Sequence, residues 1–167
     1  MAAGILVGIG ALVFALDVIL KQYVEENLTA GCEREVTASG GRVVLRKVYN
    51  QGAMLNLLEN HAELLKLISV GIGGASLLYD TVLLQKRRRM LEKTGMMLFT
   101  GGALSNIFDR LVRGKVIDYL GFRSRWKKLS SITWNLGDFA IVAGALIVTV
   151  SRLPRRAHTF AAQTKKK

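Results

Sequence analysis

The sequence is poor in the residues that bind soft metals and in those that cross-link a chain. It contains one cysteine and two histidines among 167 residues. Cys32 has no second cysteine with which to form an internal disulfide, and with His61 and His158 it offers too few ligands for a Cys/His zinc site. Soft-ligand metal chemistry is therefore excluded, and we expect the protein to use neither a metal ion nor another cofactor.

Acidic residues are also scarce relative to basic ones. Asp and Glu number 12 against 24 Lys and Arg, and half of the residues are apolar, with a mean hydropathy of +0.29. The apolar content argues against a disordered basic tail, and the basic balance argues against an ordinary soluble core. Because the basic residues lie between long apolar runs rather than on one soluble face, we expect no nucleic-acid partner. A single membrane domain with basic loops accounts for both features.

Four apolar stretches approach the length of about 20 residues with which a helix crosses a bilayer. They comprise residues 1–20, 67–84, 95–112 and 132–150. The first has neither a basic N-terminal region nor a small-residue cleavage signal, so we expect it to remain in the mature protein. The sequence therefore predicts a mainly α-helical membrane protein with four transmembrane helices.

Basic flanking segments predict the orientation of these helices. The link 85–94 and the tail 151–167 are rich in Lys and Arg, and with four spans both lie on the side that the positive-inside rule assigns to the cytoplasm. The link 113–131 is basic as well and competes with this assignment. The polar segment 23–61, with a strand predicted at 42–49, would then form a small β element outside the cytoplasm. The link 113–131 would form an outer loop over the same region.

Polar side chains inside apolar spans are costly, and here they converge at one depth. Spacings of three and four residues place them on shared helix faces near the outer ends of three spans. They are Asp17 and Lys21 in the first span, Asn106, Asp109 and Arg110 in the third, and Asn135 and Asp138 in the fourth. Asp118 lies in the outer connection, and Asn50 and Gly52 lie in the other outer loop. Asp109 and Arg110 are also candidates for a buried ion pair.

Two different uses are compatible with this cluster. Two aspartates that share a buried site repel each other, so one keeps its proton near neutral pH while the other is ionised. The ionised one can activate water and the protonated one can polarise a carbonyl, which is peptide hydrolysis without a metal. The alternative is a small polytopic transporter or membrane scaffold with intramembrane carboxylates. A translocation pathway would spread carboxylates through the membrane, but only Asp80 lies toward the opposite face, so the distribution favours the hydrolase.

Five short motifs cover nearly the whole chain. They are Asp17-x-x-x-Lys21, Asn50-Gln-Gly52-Ala-Met54, Gly101-Gly-Ala-Leu-Ser-Asn106-Ile-Phe-Asp109-Arg110, Gly114-Lys-Val-Ile-Asp118-Tyr and Trp134-Asn135-Leu-Gly137-Asp138. In this order and with four apolar spans, they resemble the motifs of lipoprotein signal peptidase (signal peptidase II), a family of polytopic bacterial aspartyl proteases.

The resemblance implies roles for individual residues. The catalytic pair of the family corresponds to Asp118 and Asp138. The residues implied to bind substrate or to support the pair are Asp17, Lys21, Asn50, Gly52, Gly102, Asn106, Asp109, Arg110 and Asn135. The chain departs from the family pattern at four positions: Ser105 replaces the usual Gly, Gly137 replaces Ala, Met54 replaces an aromatic residue, and Tyr119 replaces the Phe of the Val-Val-Asp-Phe-like motif.

The resemblance also implies an activity and a location. The expected reaction is removal of the signal peptide from lipid-modified prolipoproteins, by cleavage just before the diacylglyceryl-cysteine. The expected partners are that substrate and membrane phospholipid, and we expect a monomer. The enzyme would cross the bacterial inner or plasma membrane several times, with its active site on the extracytoplasmic side.

Overall fold

The computed structural model describes residues 2–50, 52, 61–126 and 130–153. Met54 and residues 154–167 of the predicted tail therefore lie outside the described residues. The described helices are α1 (Ala2–Asn27), α2 (Ala62–Gln85), α3 (Met90–Val112) and α4 (Leu136–Arg152). The described strands are β1 (Glu33–Glu35), β2 (Val43–Asn50), β3 (Val116–Phe122) and β4 (Thr133–Trp134), and a short 3-10 helix covers Thr37–Ser39.

Each predicted apolar span contains most of a helix; α2 and α3 each begin five residues before the predicted span, whereas the fourth helix begins later than predicted. Thr133 and Trp134 form β4, and Asn135 is the N-cap of α4. The predicted helix start at residue 132 is therefore wrong. The physical reason is that a β-branched and an aromatic residue pair here with β3, and that Asn135 and Asp138 form a capping box that starts the helix later.

Helix α3 lies at the centre and packs against the other three helices. Glycines make the closest approaches. A Cβ atom at Gly101 would strike the carbonyl oxygen of Gly10 in α1, and one at Gly102 would strike the carbonyl oxygen of Gly137 in α4. The absence of side chains at these contacts lets the helix backbones approach closely, as in the helix packing of membrane proteins.

The four strands form one antiparallel sheet in the order β1-β2-β3-β4. Strand β2 confirms the strand predicted at 42–49. Strand β3, by contrast, was not predicted, and it places Asp118 in a sheet rather than in an irregular connection, with Val48 of β2 as its partner. Ile117 and Tyr119 pack with Val24 and Leu28 from the end of α1 and just beyond it. This cluster fixes the sheet at the end of the helices where α1 stops and α4 starts.

Two of the four helices are long and apolar enough to cross a membrane, by length and composition alone: Ala3–Asn27 and Ala62–Gln85. Their outward surfaces are apolar as well, since Leu67 is 70% exposed and Leu78 is 71% exposed. Helix α3 carries charged residues near both ends, and α4 has only 17 residues. Length and composition therefore support two of the four predicted spans.

Candidate active site

The residues singled out in the sequence gather at the sheet end of α3. Helix α1 contributes Asp17 and Lys21, and the end of α3 contributes Asn106, Asp109 and Arg110. Asn50 lies at the end of β2 and Gly52 just beyond it. Strand β3 contributes Asp118, and the start of α4 contributes Asn135 and Asp138. Gly102 lies one turn before Asn106 and acts through packing, because its missing side chain lets α4 approach. The fold thus brings together residues up to about 120 positions apart.

Asp138 is held by the way α4 begins. Its Oδ2 accepts a hydrogen bond from the backbone N–H of Asn135 at 3.1 Å, and its own N–H donates to Asn135 Oδ1 at 2.8 Å. This reciprocal pair is a capping box, which satisfies two of the unpaired N–H groups at a helix start. The other oxygen, Oδ1, accepts from Asn106 Nδ2 at 2.9 Å. The carboxylate is therefore fixed by two donors from two elements.

Asp118 is held by two side-chain amides. Asn135 Nδ2 donates to its Oδ1 at 2.7 Å, and Asn50 Nδ2 donates to its Oδ2 at 3.0 Å. Asn50 is itself held, because its Oδ1 accepts from the backbone N–H of Gly52 at 2.9 Å. Asn135 thus bonds to both aspartates, to Asp118 through its side chain and to Asp138 through its backbone N–H. One residue sets the relative placement of the two carboxyl groups.

The surroundings of Asp118 favour its protonated form. Burial raises the pKa of Asp118 first, and the negative charge of Asp138 raises it further, against the opposing effect of the amide donors Asn50 and Asn135. The result is a pKa of about 7. A carboxyl group with this pKa holds and releases a proton near neutral pH, which general acid–base chemistry requires.

A second pair of aspartates, Asp17 and Asp109, lies on either side of one buried lysine. Lys21 Nζ is 2.8 Å from Asp17 Oδ2 and 3.1 Å from Asp109 Oδ2, and all three side chains are fully buried. Asp109 also forms an ion pair with Arg113 and accepts from the backbone N–H of Ile117 at 3.1 Å. These ion pairs hold the ends of α1 and α3 and the start of β3 together.

The four aspartates at this end of the molecule therefore divide into two kinds. Asp17 and Asp109 are neutralised by basic side chains. Among the described residues no Lys or Arg forms an ion pair with Asp118 or Asp138, which accept from neutral amides and backbone instead. Asp17 and Asp109 are thus engaged in structural ion pairs, whereas Asp118 and Asp138 have no such partner in the part of the chain that the structure describes and are the candidates for acid–base chemistry. Hereafter Asp118 and Asp138 are called the dyad.

Asn106 connects the two pairs. Its Oδ1 accepts from Lys21 Nζ at 2.8 Å while its Nδ2 donates to Asp138. Arg110 lies beside the dyad but does not form the ion pair with Asp109 that adjacency in sequence made a candidate. It donates to the carbonyl oxygens of Gly52 at 3.1 Å and Asn106 at 3.3 Å, and so holds the chain just after β2. Asp109 finds its cations in Lys21 and Arg113 instead.

No functional role was predicted from the sequence for two hydroxyl groups that the structure places beside Asp17. Ser105 Oγ donates to Asp17 Oδ2 at 2.6 Å, and the hydroxyl of Tyr119 donates to Asp17 Oδ1 at 2.8 Å. Burial and the charge of Asp17 raise the pKa of Tyr119, so its hydroxyl stays protonated. Both residues adjoin motif residues in sequence, and that adjacency is the only signal that could have found them.

The opposite face of α3 is different in character. Thr100, Leu104, Ile107 and Leu111 line an apolar cavity of about 590 Å³ between α1, α2 and α3. Thr100, Leu104 and Ile107 precede Gly102, Asn106 and Asp109 by two residues each. In an α-helix a two-residue offset rotates a side chain by roughly 200° about the helix axis, so the two sets lie on opposite faces. Asp80 of α2 also lines this cavity. The cavity is therefore separated from the dyad by the body of α3.

No group of three or more His, Cys, Asp or Glu side chains is placed to hold a metal ion in the part of the chain that the structure describes. The dyad contributes two carboxyl groups, and Asp17 and Asp109 are occupied by ion pairs.

Curated relatives and a solved structure similar to this chain agree with one another. A relative named lipoprotein signal peptidase from Serratia marcescens is 32% identical over 157 residues, covering 93% of this chain and 89% of that protein. Its counterpart from Solibacter usitatus is 31% identical over 156 residues, covering 89% of this chain and 91% of that protein. A bacterial membrane enzyme solved by the in meso method at 1.9 Å resolution has the same fold, with a TM-score of 0.76 and 19% identity, covering 91% of this chain and 94% of that one.

The sequence model of signal peptidase (SPase) II matches residues 9–153. This match contains both members of the dyad and every supporting residue named above, and it runs against the transporter alternative. The chain belongs to the signal peptidase II family.

Proposed function

We propose that this protein is an aspartic endopeptidase that removes the signal peptide from lipid-modified prolipoproteins, by cleavage before the diacylglyceryl-cysteine. Family membership and the printed names of its relatives support the reaction. The observation that carries the proposal is the pairing of Asp118 with Asp138 through Asn135, without a neutralising ion pair. Two such carboxyl groups in one site are sufficient for peptide hydrolysis of the aspartic-protease type, which uses no metal.

In the proposed reaction the dyad shares one proton near neutral pH. The ionised aspartate takes a proton from water as that water attacks the scissile carbonyl carbon, and the other aspartate gives its proton to the carbonyl oxygen. As the tetrahedral intermediate collapses, the aspartate that took the proton from water gives it to the leaving nitrogen, the peptide C–N bond breaks, and a hydroxyl of the intermediate returns a proton to the other aspartate. The products are a carboxylic acid and the free amine of the modified cysteine, and the dyad again holds one proton. With a pKa of about 7, Asp118 is suited to hold the shared proton. The two groups titrate as a pair, so their pH profile belongs to the dyad as a whole.

We further propose that all four helices cross the bacterial inner or plasma membrane, with the sheet and the dyad on the outer side and both termini in the cytoplasm. Helices α1 and α2 meet the length and apolarity that spanning requires. Helix α3 is shielded by the other three helices, so its charged residues face protein and not lipid. The basic link after α2 favours the cytoplasm for that end. A reporter inserted in the link 86–89 should respond as cytoplasmic, and an external response would reverse the orientation.

In this arrangement the substrate's lipid-bearing cysteine would meet the dyad at the outer boundary of the phospholipid bilayer. Arg110 and Asn50 line the approach, since both contact the chain at Gly52 beside the dyad. Their proposed role, shared with Asn106 and Asn135, is to orient the dyad and the substrate backbone. The enzyme is proposed to act as a monomer without a cofactor.

The decisive experiment is cleavage of a lipidated prolipoprotein by purified Asp118→Asn and Asp138→Asn variants. Each substitution keeps the shape of the side chain but removes its acid–base function, so we expect kcat to fall by about 10³-fold or more. Asp80→Asn is the matched control, because Asp80 is a buried aspartate of α2 on the far side of α3. It should leave cleavage unchanged. Full activity of either dyad variant in correctly inserted protein would falsify the assignment.

A further inference from the structure

The carboxylate of Asp17 is surrounded on every side by groups of the protein. Its Oδ1 accepts from the Tyr119 hydroxyl at 2.8 Å, and its Oδ2 accepts from Ser105 Oγ at 2.6 Å and lies 2.8 Å from Lys21 Nζ. The side chain is fully buried. An ionised group in such a place is held in one position only if each of its oxygens keeps its donors.

Ser105 connects Asp17 to Lys21 by two hydrogen bonds. Its hydroxyl donates to Asp17 and accepts from Lys21 Nζ at 3.1 Å. Lys21 has three N–H donors but four acceptors within reach, namely Asp17, Asp109, Ser105 and Asn106. The position of the ammonium group therefore depends on how strongly each acceptor holds it, and Ser105 is one of the four.

The position of Lys21 decides the orientation of Asn106. Because Asn106 Oδ1 accepts from Lys21 Nζ at 2.8 Å, its Nδ2 is turned toward Asp138 Oδ1. A displaced ammonium group would weaken this preference and release one of the two donors that fix Asp138. Ser105 thus reaches the dyad through two intermediate side chains and touches neither member of it.

Gly137 approaches the same oxygen of Asp17 from the other side. A Cβ atom at residue 137 would lie 2.8 Å from Asp17 Oδ2 and 3.0 Å from Asn135 Oδ1. Real Cβ atoms do not sustain the first distance, and the same added atom would also lie 3.0 Å from the carbonyl oxygen of Gly102, so it would press on α1 and α3 together. Space for the Asp17 carboxylate therefore exists only while residue 137 has no side chain.

We propose that Ser105 and Gly137 form a coupled pair of positioning residues for the dyad. Ser105 holds Asp17 Oδ2 against the start of α4, and Gly137, the residue before Asp138, provides the space in which it is held. The proposal rests on the proposed function, because the readout is the rate at which the dyad cleaves a prolipoprotein.

The first test is Ser105→Ala with the lipidated prolipoprotein. The loss of a buried hydrogen bond to a charged group should lower kcat about tenfold, with KM unchanged, because the variant disturbs the dyad and not the substrate contacts. Rates are normalised to the folded, monodisperse fraction. Ser76→Ala is the matched control, since Ser76 is a buried helical serine whose hydroxyl bonds only to the carbonyl oxygen of Ile72 in its own helix. Equal rates for the two variants, or a change confined to KM, would overturn the role of Ser105.

The second test is a double-mutant cycle of Ser105→Ala and Gly137→Ala. Gly137→Ala alone should lower kcat by about 100-fold, because the new methyl group pushes the Asp17 carboxylate that Ser105 holds in place. In the double variant the carboxylate is free to move, so the loss should be no larger than that of Gly137→Ala alone. A double variant whose loss is the product of the two single losses would contradict the coupling. The same cycle with Ser76→Ala should be multiplicative.

The dyad variants distinguish a failure of the positioning proposal from a failure of the proposed function. If Asp118→Asn and Asp138→Asn are inactive while Ser105→Ala matches Ser76→Ala, the positioning proposal fails and the proposed function stands. If either dyad variant remains active, the proposed function itself fails.

Discussion

The two faces of α3 treat their buried polar atoms in opposite ways. On the sheet-end face Asn106 uses both its Oδ1 and its Nδ2, and both oxygens of Asp109 have partners. On the cavity face Thr100 and Asp80 are each only 5% exposed, and the Thr100 hydroxyl lies near the Asp80 carboxyl, but neither Thr100 Oγ1 nor Asp80 Oδ1 forms a well-aligned hydrogen bond to a described residue. Both faces contain a buried acid, but only one of them surrounds that acid with donors.

Because the two faces differ in this way, a buried carboxylate alone does not indicate an active site. The sheet-end face receives polar groups from α1, β2, β3 and α4, so each charge or amide has a partner from another element. The cavity face receives mostly apolar side chains around Asp80 and Thr100, with the hydroxyl of Thr81 as a further polar group. The two faces differ in how many elements contribute polar groups to them, and substitutions on each face should therefore differ in their effect on stability and cleavage.

The largest effect on stability is expected at Lys21. Lys21→Met keeps the length of the side chain but leaves two fully buried carboxylates, Asp17 and Asp109, without their shared cation. Breaking a buried ion pair in this way costs about 3–5 kcal/mol of unfolding free energy. Thermal unfolding in detergent should show a large fall in the midpoint. The control is Lys66→Met, whose ion pair with Glu63 is long, at 4.0 Å, and exposed, so its effect should stay below about 1 kcal/mol. Comparable losses in the two variants would contradict the structural importance of the buried cluster.

The pH dependence of stability should report Asp118. Its pKa is about 7 in the folded protein against 3.8 for the unperturbed group, so between these pH values the folded state binds a proton that the unfolded chain has lost. The free energy of unfolding therefore falls as the pH rises from 3.8 toward 7, by a few kcal/mol, and levels off above it. Asp118→Asn should remove this contribution, which is measured as the difference between the two stability profiles. Parallel profiles would show that the pKa of Asp118 is not raised. Cleavage by the unaltered protein should also decline above about pH 7 as the shared proton is lost.

A smaller loss is expected where α3 and α4 touch. In Gly102→Ala the new methyl group meets the carbonyl oxygen of Gly137, so the helices must separate beside Asp138, at a cost of about 1–3 kcal/mol. The matched substitution is Gly74→Ala in α2, where nothing lies within 4 Å of the added atom. That variant should be neutral or more stable by up to about 1 kcal/mol, because Ala is the better helix former. Unfolding midpoints of the two variants provide the measurement, and a neutral Gly102→Ala would show that the contact is not tight.

The smallest effect is expected on the cavity face, and it should have the opposite sign. Asp80→Leu replaces a buried carboxyl group, whose Oδ1 has no well-aligned hydrogen bond to a described residue, by an apolar side chain in a largely apolar cavity, which should raise the free energy of unfolding by about 1 kcal/mol. Cleavage of prolipoprotein should not change. A loss of activity in this variant would mean that the two faces of α3 are not independent.

Much of the site followed from helix geometry alone. Spacings of three and four residues predicted that Asn106 shares a face with Asp109, because such residues lie one turn apart. The same spacing also predicted a shared helix face for Asn135 and Asp138, but Asn135 is the N-cap of α4, and the capping box brings the two together instead. The strand at 42–49 followed from β-branched alternation. What periodicity could not supply was contact between elements. Strand β3 is nearly all buried, so its pattern does not alternate, and the pairing of Asp118 with Val48 depends on a partner about 70 residues away.

The surroundings of Asp17 show the limit most clearly. The three described positions at which the chain departs from the family pattern are Ser105, Tyr119 and Gly137, and all three meet at this one carboxylate. In the sequence they stand in three separate motifs, and nothing in their spacing relates them. Only the packing of α1, α3, β3 and α4 against one another makes them neighbours.

Asn135 has two structural roles. It is the N-cap residue at which α4 begins, and it forms hydrogen bonds to both Asp118 and Asp138. The start of α4 and the assembly of the proposed dyad therefore depend on the same residue. A nascent chain whose last helix has not yet formed contains both acids but cannot hold them together. Under the proposed function, the ability to cleave therefore arises only once α4 has begun at Asn135.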